Sequence, residues 1–159
     1  MCTSLNSDVI LSLSVFSNER IMKLLDITKS EIDNAQKWID DLFHQTKRES
    51  KIKKQRCEMC NSKEEPCNLE LHHISGRKHD YRTITVCLAC HRWLSDKQKT
   101  WDKRWLEKNQ TEFVVQAFFL LGLQNILELK TIKTGNSIYA ELAYSYNEKI
   151  NVLLGRWQN

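Results

Sequence analysis

Residues 57–91 read CEMCNSKEEPCNLELHHISGRKHDYRTITVCLACH, and the rest of the chain is organised around them. Cys57 and Cys60 form one CxxC pair and Cys87 and Cys90 a second, with 26 residues between the pairs. A CxxC turn presents two thiolates on one side of a tight loop. Two such loops facing each other make the tetrahedral all-thiolate cage that Zn2+ favours. The spacing predicts a structural zinc held by these four cysteines. A closed site of that kind has no vacancy for the three histidines beside it, His72, His73 and His91, which need a separate explanation.

Leu69–Ile74 and Thr83–Val86 have the composition of short strands, joined by a loop that contains Gly76. Strand alternation turns Leu69, Leu71 and His73 one way and Glu70, His72 and Ile74 the other, so the adjacent histidines are free to do different jobs. From Leu88 the pattern predicts a helix carrying Cys90, His91 and Arg92. A unit of two strands and one helix is too small to fold on core burial alone, so metal binding is expected to supply much of its stability.

The 159 residues, 41% hydrophobic and 28% charged, describe an ordinary globular chain. With one proline and four glycines, long disordered linkers are not expected. The abundance of Leu, Lys, Glu, Ile and Gln predicts a mainly α fold with a small β insertion. A net charge of +4 and a pI near 8.7 are too mild to establish nucleic-acid binding by themselves. Their distribution says more. Six Lys or Arg stand between Lys47 and Arg56 against the single Glu49, and Arg77, Lys78 and His79 form a second basic group. Such runs serve either as a solvated face or as a phosphate-contacting rim.

Six cysteines, four of them in CxxC pairs, indicate metal binding in a reducing compartment; Cys2 and Cys67 are left over. Val9–Phe16 has no basic region before it and is interrupted by Ser12 and Ser14, unlike a signal peptide. The apolar block Phe113–Leu123 contains Gln116 and is short for a bilayer. The expectation is an intracellular protein, cytoplasmic or nucleoid-associated, with no membrane partner.

Outside the central stretch the pattern is helical. Asp8–Ile27 suits one or two short helices, although Leu11, Leu13 and Val15 also alternate as a strand would. Thr28 with Glu31 resembles a capping box for a helix from Lys29 to near Ser50, with Ile32, Ala35, Ile39, Leu42 and Phe43 on its apolar face and Trp38 and His44 beside it. Ser95 with Gln98 predicts a fresh cap and a helix to about Asn109, on which Trp101 and Trp105 form a packing pair. Thr111 opens a helix apolar around most of its circumference, which a small module can hardly enclose, so a protein partner or a second copy is expected on the C-terminal helices. After a turn at Gly135 and Asn136, Ile138, Leu142, Ile150, Leu153, Leu154 and Trp157 predict a terminal helix that pairs with it as a hairpin. The organisation reads as helical residues 1–55, a zinc module at 56–95 and C-terminal helices at 96–159, packed as one unit.

LELHHI followed by ITVCLACH resembles the ββα-metal fold of the HNH endonucleases, in the subclass stapled by four cysteines. The resemblance covers only the zinc module. It implies a metal-dependent hydrolase of phosphodiester bonds, acting on nucleic acid and foremost DNA. His73 would be the general base, and His72 and His91 would hold a catalytic Mg2+ or Mn2+. Arg77, Lys78 and Arg92 would contact phosphates. The zinc would only pin the hairpin to the helix. The family's middle asparagine, which steadies the loop carrying the base, lies about five residues before the third cysteine; Arg82 stands there in this chain. That departure leaves room for two other readings, a noncatalytic zinc module that binds nucleic acid and a subunit that binds a protein partner.

Overall fold

The structure, a computed structural model, describes residues 28–63 and 68–155. The helices expected within Asp8–Ile27, together with Cys2, Cys67 and Trp157, lie outside the described residues. What is described is mainly helical, with one two-stranded antiparallel sheet.

Helix α1, Lys29–Phe43, starts at the capping box its sequence predicts. The Thr28 hydroxyl accepts from the Glu31 amide, and the Glu31 carboxylate accepts from the Thr28 amide at 2.9 Å. Ile32, Ala35, Ile39 and Leu42 are its buried face. The helix stops well short of Ser50, for two reasons. Thr46 and Glu49 make a second capping box, in which the Thr46 amide and hydroxyl both donate to the Glu49 carboxylate at 2.7 Å, opening the short 3-10 turn Glu49–Lys51. Gln45 leaves the helix to bond a strand. The basic run therefore lies along an exposed, irregular segment and not on a helix face.

Strand β1, Leu69–His73, pairs with β2, Thr83–Cys87, with His72 opposite Ile84 and His73 opposite Thr83. A two-stranded sheet leaves open edges, and the outer edge of β2 is sealed by the segment that follows α1. The Gln45 side chain donates to Thr83 O at 2.9 Å and accepts from Thr83 N at 2.7 Å, replacing a missing strand. Glu58 does the same at Thr85, donating from its amide at 2.9 Å and accepting on its carboxylate at 2.7 Å.

Helix α2, Leu88–Gln98, follows β2 directly and packs on both strands. Ser95 lies within it and caps nothing. The expected helix to Asn109 is replaced by a turn and a 3-10 segment, Lys103–Leu106, whose cap is Asp102, accepting from the Arg104 amide. Trp101 and Trp105 still meet edge to face at 5.7 Å, and Trp101 stacks on Phe118 at 6.0 Å, so both are packing residues.

Helix α3, Glu112–Thr134, is the central element, capped by the Thr111 hydroxyl. Helix α2 packs on it, as do α4, Ile138–Ser145, and α5, Asn147–Leu154. The chain's own elements thus account for its burial. The helix as a whole is longer than its apolar block and, alone among the described residues, meets the length and composition needed to cross a bilayer; it is also a mostly buried core helix, which meets the same test. The single terminal helix read from the sequence is two, broken at Tyr146. Gln124 of α3 donates to Ala143 O at 3.3 Å and to the Asn147 side chain at 2.5 Å, occupying the carbonyl that would continue the helix. One hydrophobic cluster runs from Ile32 to Leu154 and takes in Cys57, Met59, Cys87 and Cys90.

Gly122 fixes how closely α3 approaches the hairpin. A Cβ there would stand 2.0 Å from the carbonyl oxygen of Ile74. Gly122→Ala should therefore lower stability by about 3 kcal/mol, the upper end of overpacking costs, despite the better helix propensity of Ala. A urea midpoint unchanged in the variant would show that α3 can shift without cost.

Candidate metal centre and histidine cluster

The four cysteines converge. All four sulfurs lie within 4.8 Å of one another, and no other group of three or more His, Cys, Asp or Glu residues among those described meets that test. Cys60 and Cys87 are 3.8 Å apart, and all four are free thiols. Four sulfurs about 2.3 Å from a central zinc stand about 3.8 Å from each other, so the cluster fits a zinc-sized ion.

Local backbone geometry builds each half. Asn61 adopts a left-handed conformation (φ 56°), and its amide donates to Cys57 O at 2.9 Å, curling the first CxxC into a knuckle. Cys87 ends β2 and is also the N-cap of α2, so Cys90 falls in the first helical turn, where the positive end of the helix favours thiolates. The Cys57 thiol is held well below its ordinary value by a hydrogen bond from Cys90 and by the backbone amides of Cys60, Cys87 and Met59. Lys130, reaching from α3, donates to Glu58 O at 2.7 Å and lies over the rings of Trp38 at 4.3 Å and Tyr139 at 5.4 Å. Its charge offsets part of the negative charge of a four-thiolate site.

The histidines divide as their strand positions require. His72, on the face of β1 that packs against α2, meets His91 of α2 edge to face, ring centroids 5.1 Å apart. Burial, then the nearby His91 and His73, push His72 down to about 3, so it is neutral at physiological pH. Nδ1 of His91 stands 3.1 Å from Oε2 of Glu70, two residues before His72 on the same face. His72 is 3% exposed, whereas the side chains of His91 and Glu70 keep 33% and 43%, so the cluster opens to solvent on their side. His73, on the other face, is half-buried. Burial and then the charge of Arg77 hold its imidazole below the ordinary value, against an opposing pull from Asp80.

Of the basic residues expected near this site, Arg77 and Arg92 are exposed, and Lys78 is exposed with its ammonium donating to Leu106 O at 3.0 Å. Arg82, at the position of the motif's asparagine, is held within the protein. Its guanidinium binds the Asp80 carboxylate and Phe43 O and lies over the Phe119 ring, while its carbonyl accepts from Ile74 N at 3.0 Å.

Glu70 is the residue at this cluster that the sequence reading passed over. Its signal was the two-residue spacing to His72, which places both side chains on one strand face. Gln98, which donates to the carbonyls of His73 and Ile74, had no such signal, because its partners lie some 25 residues away in sequence.

No family model matches this chain, and neither the curated proteins nor the solved structures contain a match to it.

Proposed function

We propose that the chain is a metal-dependent endonuclease of the HNH type, a ββα-metal module stapled by zinc at Cys57, Cys60, Cys87 and Cys90, and that it hydrolyses phosphodiester bonds in DNA. The observation that carries this reading is the approach of His72 and His91, one from the hairpin and one from the helix, with Glu70 against Nδ1 of His91. His72, held neutral by its burial, and His91 would share a divalent Mg2+ or Mn2+ whose remaining positions take water and phosphate oxygens, and a carboxylate on Nδ1 leaves Nε2 of His91 as the ligand atom. An ion bound there supplies positive charge for the departing oxygen. His73 takes the proton of the attacking water, and its depressed basicity keeps it neutral at working pH. Arg77 and Arg92 hold the phosphate backbone. The products are a 5′-phosphate and a 3′-hydroxyl.

The test is incubation of the zinc-loaded protein with supercoiled plasmid and Mg2+ or Mn2+. Nicking that His91→Ala abolishes while zinc content stays constant supports the reading. Zinc lost from the His91 variant would show that the two sites are not separate. Glu70→Ala should weaken Mn2+ binding about 10- to 100-fold, measured by calorimetry on the zinc-loaded protein. An unchanged affinity would remove Glu70 from the site.

The burial of His72 favours a second reading, a noncatalytic zinc module that binds nucleic acid. Salt-dependent DNA binding without cleavage under any divalent ion would establish it in place of the first.

A further inference from the structure

Three consecutive carbonyls at the start of the turn from His73 to His79 are gripped from outside it. The side-chain amide of Gln98 donates to His73 O at 2.9 Å and to Ile74 O at 3.2 Å. Trp105 Nε1 donates to Ser75 O at 2.8 Å, and His79 Nε2 meets Trp105 O at 2.7 Å. Gly76, at φ +86°, lies so close to the Trp105 indole that a Cβ would stand 2.7 Å from Nε1. Helix α3 closes the last side at Gly122.

Gln98 is the most informative of these contacts. It is a polar side chain only 8% exposed at the end of a helix, and its amide bridges two consecutive carbonyls, the first belonging to His73 itself. A buried amide costs free energy unless its hydrogen bonds are made, so the pair of carbonyls and the glutamine each need the other. Arg82, where the motif's asparagine is expected, spends its side chain on Asp80, Phe43 and Phe119 and reaches the turn only through its main-chain carbonyl. The side-chain clamps on this turn come from the end of α2 and from the 3-10 segment after it.

We propose that Gln98 is the positioning residue for His73, fixing the imidazole by holding its carbonyl and the next, with Trp105 as a second clamp at Ser75. The C-terminal half of the chain thereby belongs to the hydrolytic site and is more than a support for it. The inference rests on the nuclease reading for its catalytic consequence but not for its structural one, which allows the two to fail separately.

The experiment uses the full zinc-loaded chain with Gln98→Met, which keeps length and volume but removes both donors. Amide hydrogen exchange is read at Ile74 and at Gly76, whose own amide also bonds His73 O at 3.2 Å. Exchange at both should rise at least about 10-fold without a change in zinc content. The kcat for plasmid nicking should fall about 10- to 100-fold, as small displacements of a reacting group do, with KM for DNA held within about threefold. Trp105→Phe, which loses the indole donor to Ser75 O and part of the ring but keeps an aromatic against Trp101, should move both readouts in the same direction by less, and it serves if the Gln98 variant does not fold. Exchange unchanged at Ile74 and Gly76 in a folded variant overturns the proposal, and so does a rise in KM with kcat preserved. A wild-type chain that cleaves nothing overturns the nuclease reading alone, because the exchange measurement needs no activity.

Discussion

Cys57→Ser is expected to abolish zinc binding at the proposed four-cysteine site and, with it, the cooperative unfolding transition of the whole described chain. Zinc held by four thiolates stabilises small folded units by an apparent ~10–16 kcal/mol at neutral pH, whereas whole domains are stable by only about 5–15 kcal/mol. A serine hydroxyl is a poor zinc ligand, and of the three remaining thiols Cys87 and Cys90 would be buried without their ion. Nor is the loss confined to the knuckle. Cys57, Met59, Cys87 and Cys90 belong to the same apolar cluster as Leu129 of α3 and Leu154 of α5, so freeing the first CxxC uncovers the central helix. Glu58, one residue on, seals Thr85 at the edge of β2 and accepts Lys130 through its carbonyl, and both contacts depend on the knuckle. Elemental analysis and circular dichroism during heating test this together. A variant that melts within a few degrees of the parent after losing its zinc would show the metal to be an ornament of a self-sufficient core.

The parts of the fold legible in the sequence are those fixed by near neighbours. Thr28 and Glu31 are three residues apart, and the box they form is where it was read. The strands follow from alternation around His72 and His73, and the cysteine cluster from the CxxC spacing. What escaped was decided across the chain. Helix α1 ends where Gln45 finds Thr83, 38 residues away. The C-terminal helix breaks where Gln124 takes a carbonyl from it. Both are glutamines, good helix formers whose side chains here bond distant backbone, and local propensity cannot register that. Thr46 and Glu49 are the exception, a local capping signal overlooked because the basic run around it read as helix.

The histidine site divides in the same way. The two faces of β1 predicted that His72 and His73 would part, whereas the approach of His91 to the strand was expected only from the resemblance to the HNH endonucleases. The role of Glu70 needed the three-dimensional approach of α2, since a glutamate beside a buried histidine reads equally well as an exposed strand residue. Arg82 is the sharper lesson. In sequence it is a gap in a motif; in the structure its side chain is tied to Asp80 and Phe43, and the carbonyls it does not reach are held by Gln98.

His73→Ala is expected to lower kcat for plasmid nicking by about 10²- to 10⁴-fold, the usual contribution of a positioned general base, with zinc content and Mn2+ affinity unchanged. The separation of effects follows from position. His73 is on the opposite strand face from His72, is no part of the cysteine cluster, and leaves the Glu70–His91 contact untouched. Its pH signature has a definite sign. Burial and Arg77 disfavour the imidazolium, so the neutral base survives below pH 6.5 and the acid limb of kcat/KM falls on the acid side of that value. The same shift acts on stability. Protonation of the unfolded chain at its ordinary value competes with a folded state that resists the proton, so His73 is neutral to stability above that value and costs stability as pH falls below it. His73→Ala should therefore flatten part of the acid-side loss of stability while removing activity at every pH. An alanine variant that nicks DNA within threefold of the parent rate, or that keeps the parent's acid limb at reduced amplitude, would assign the base to another group.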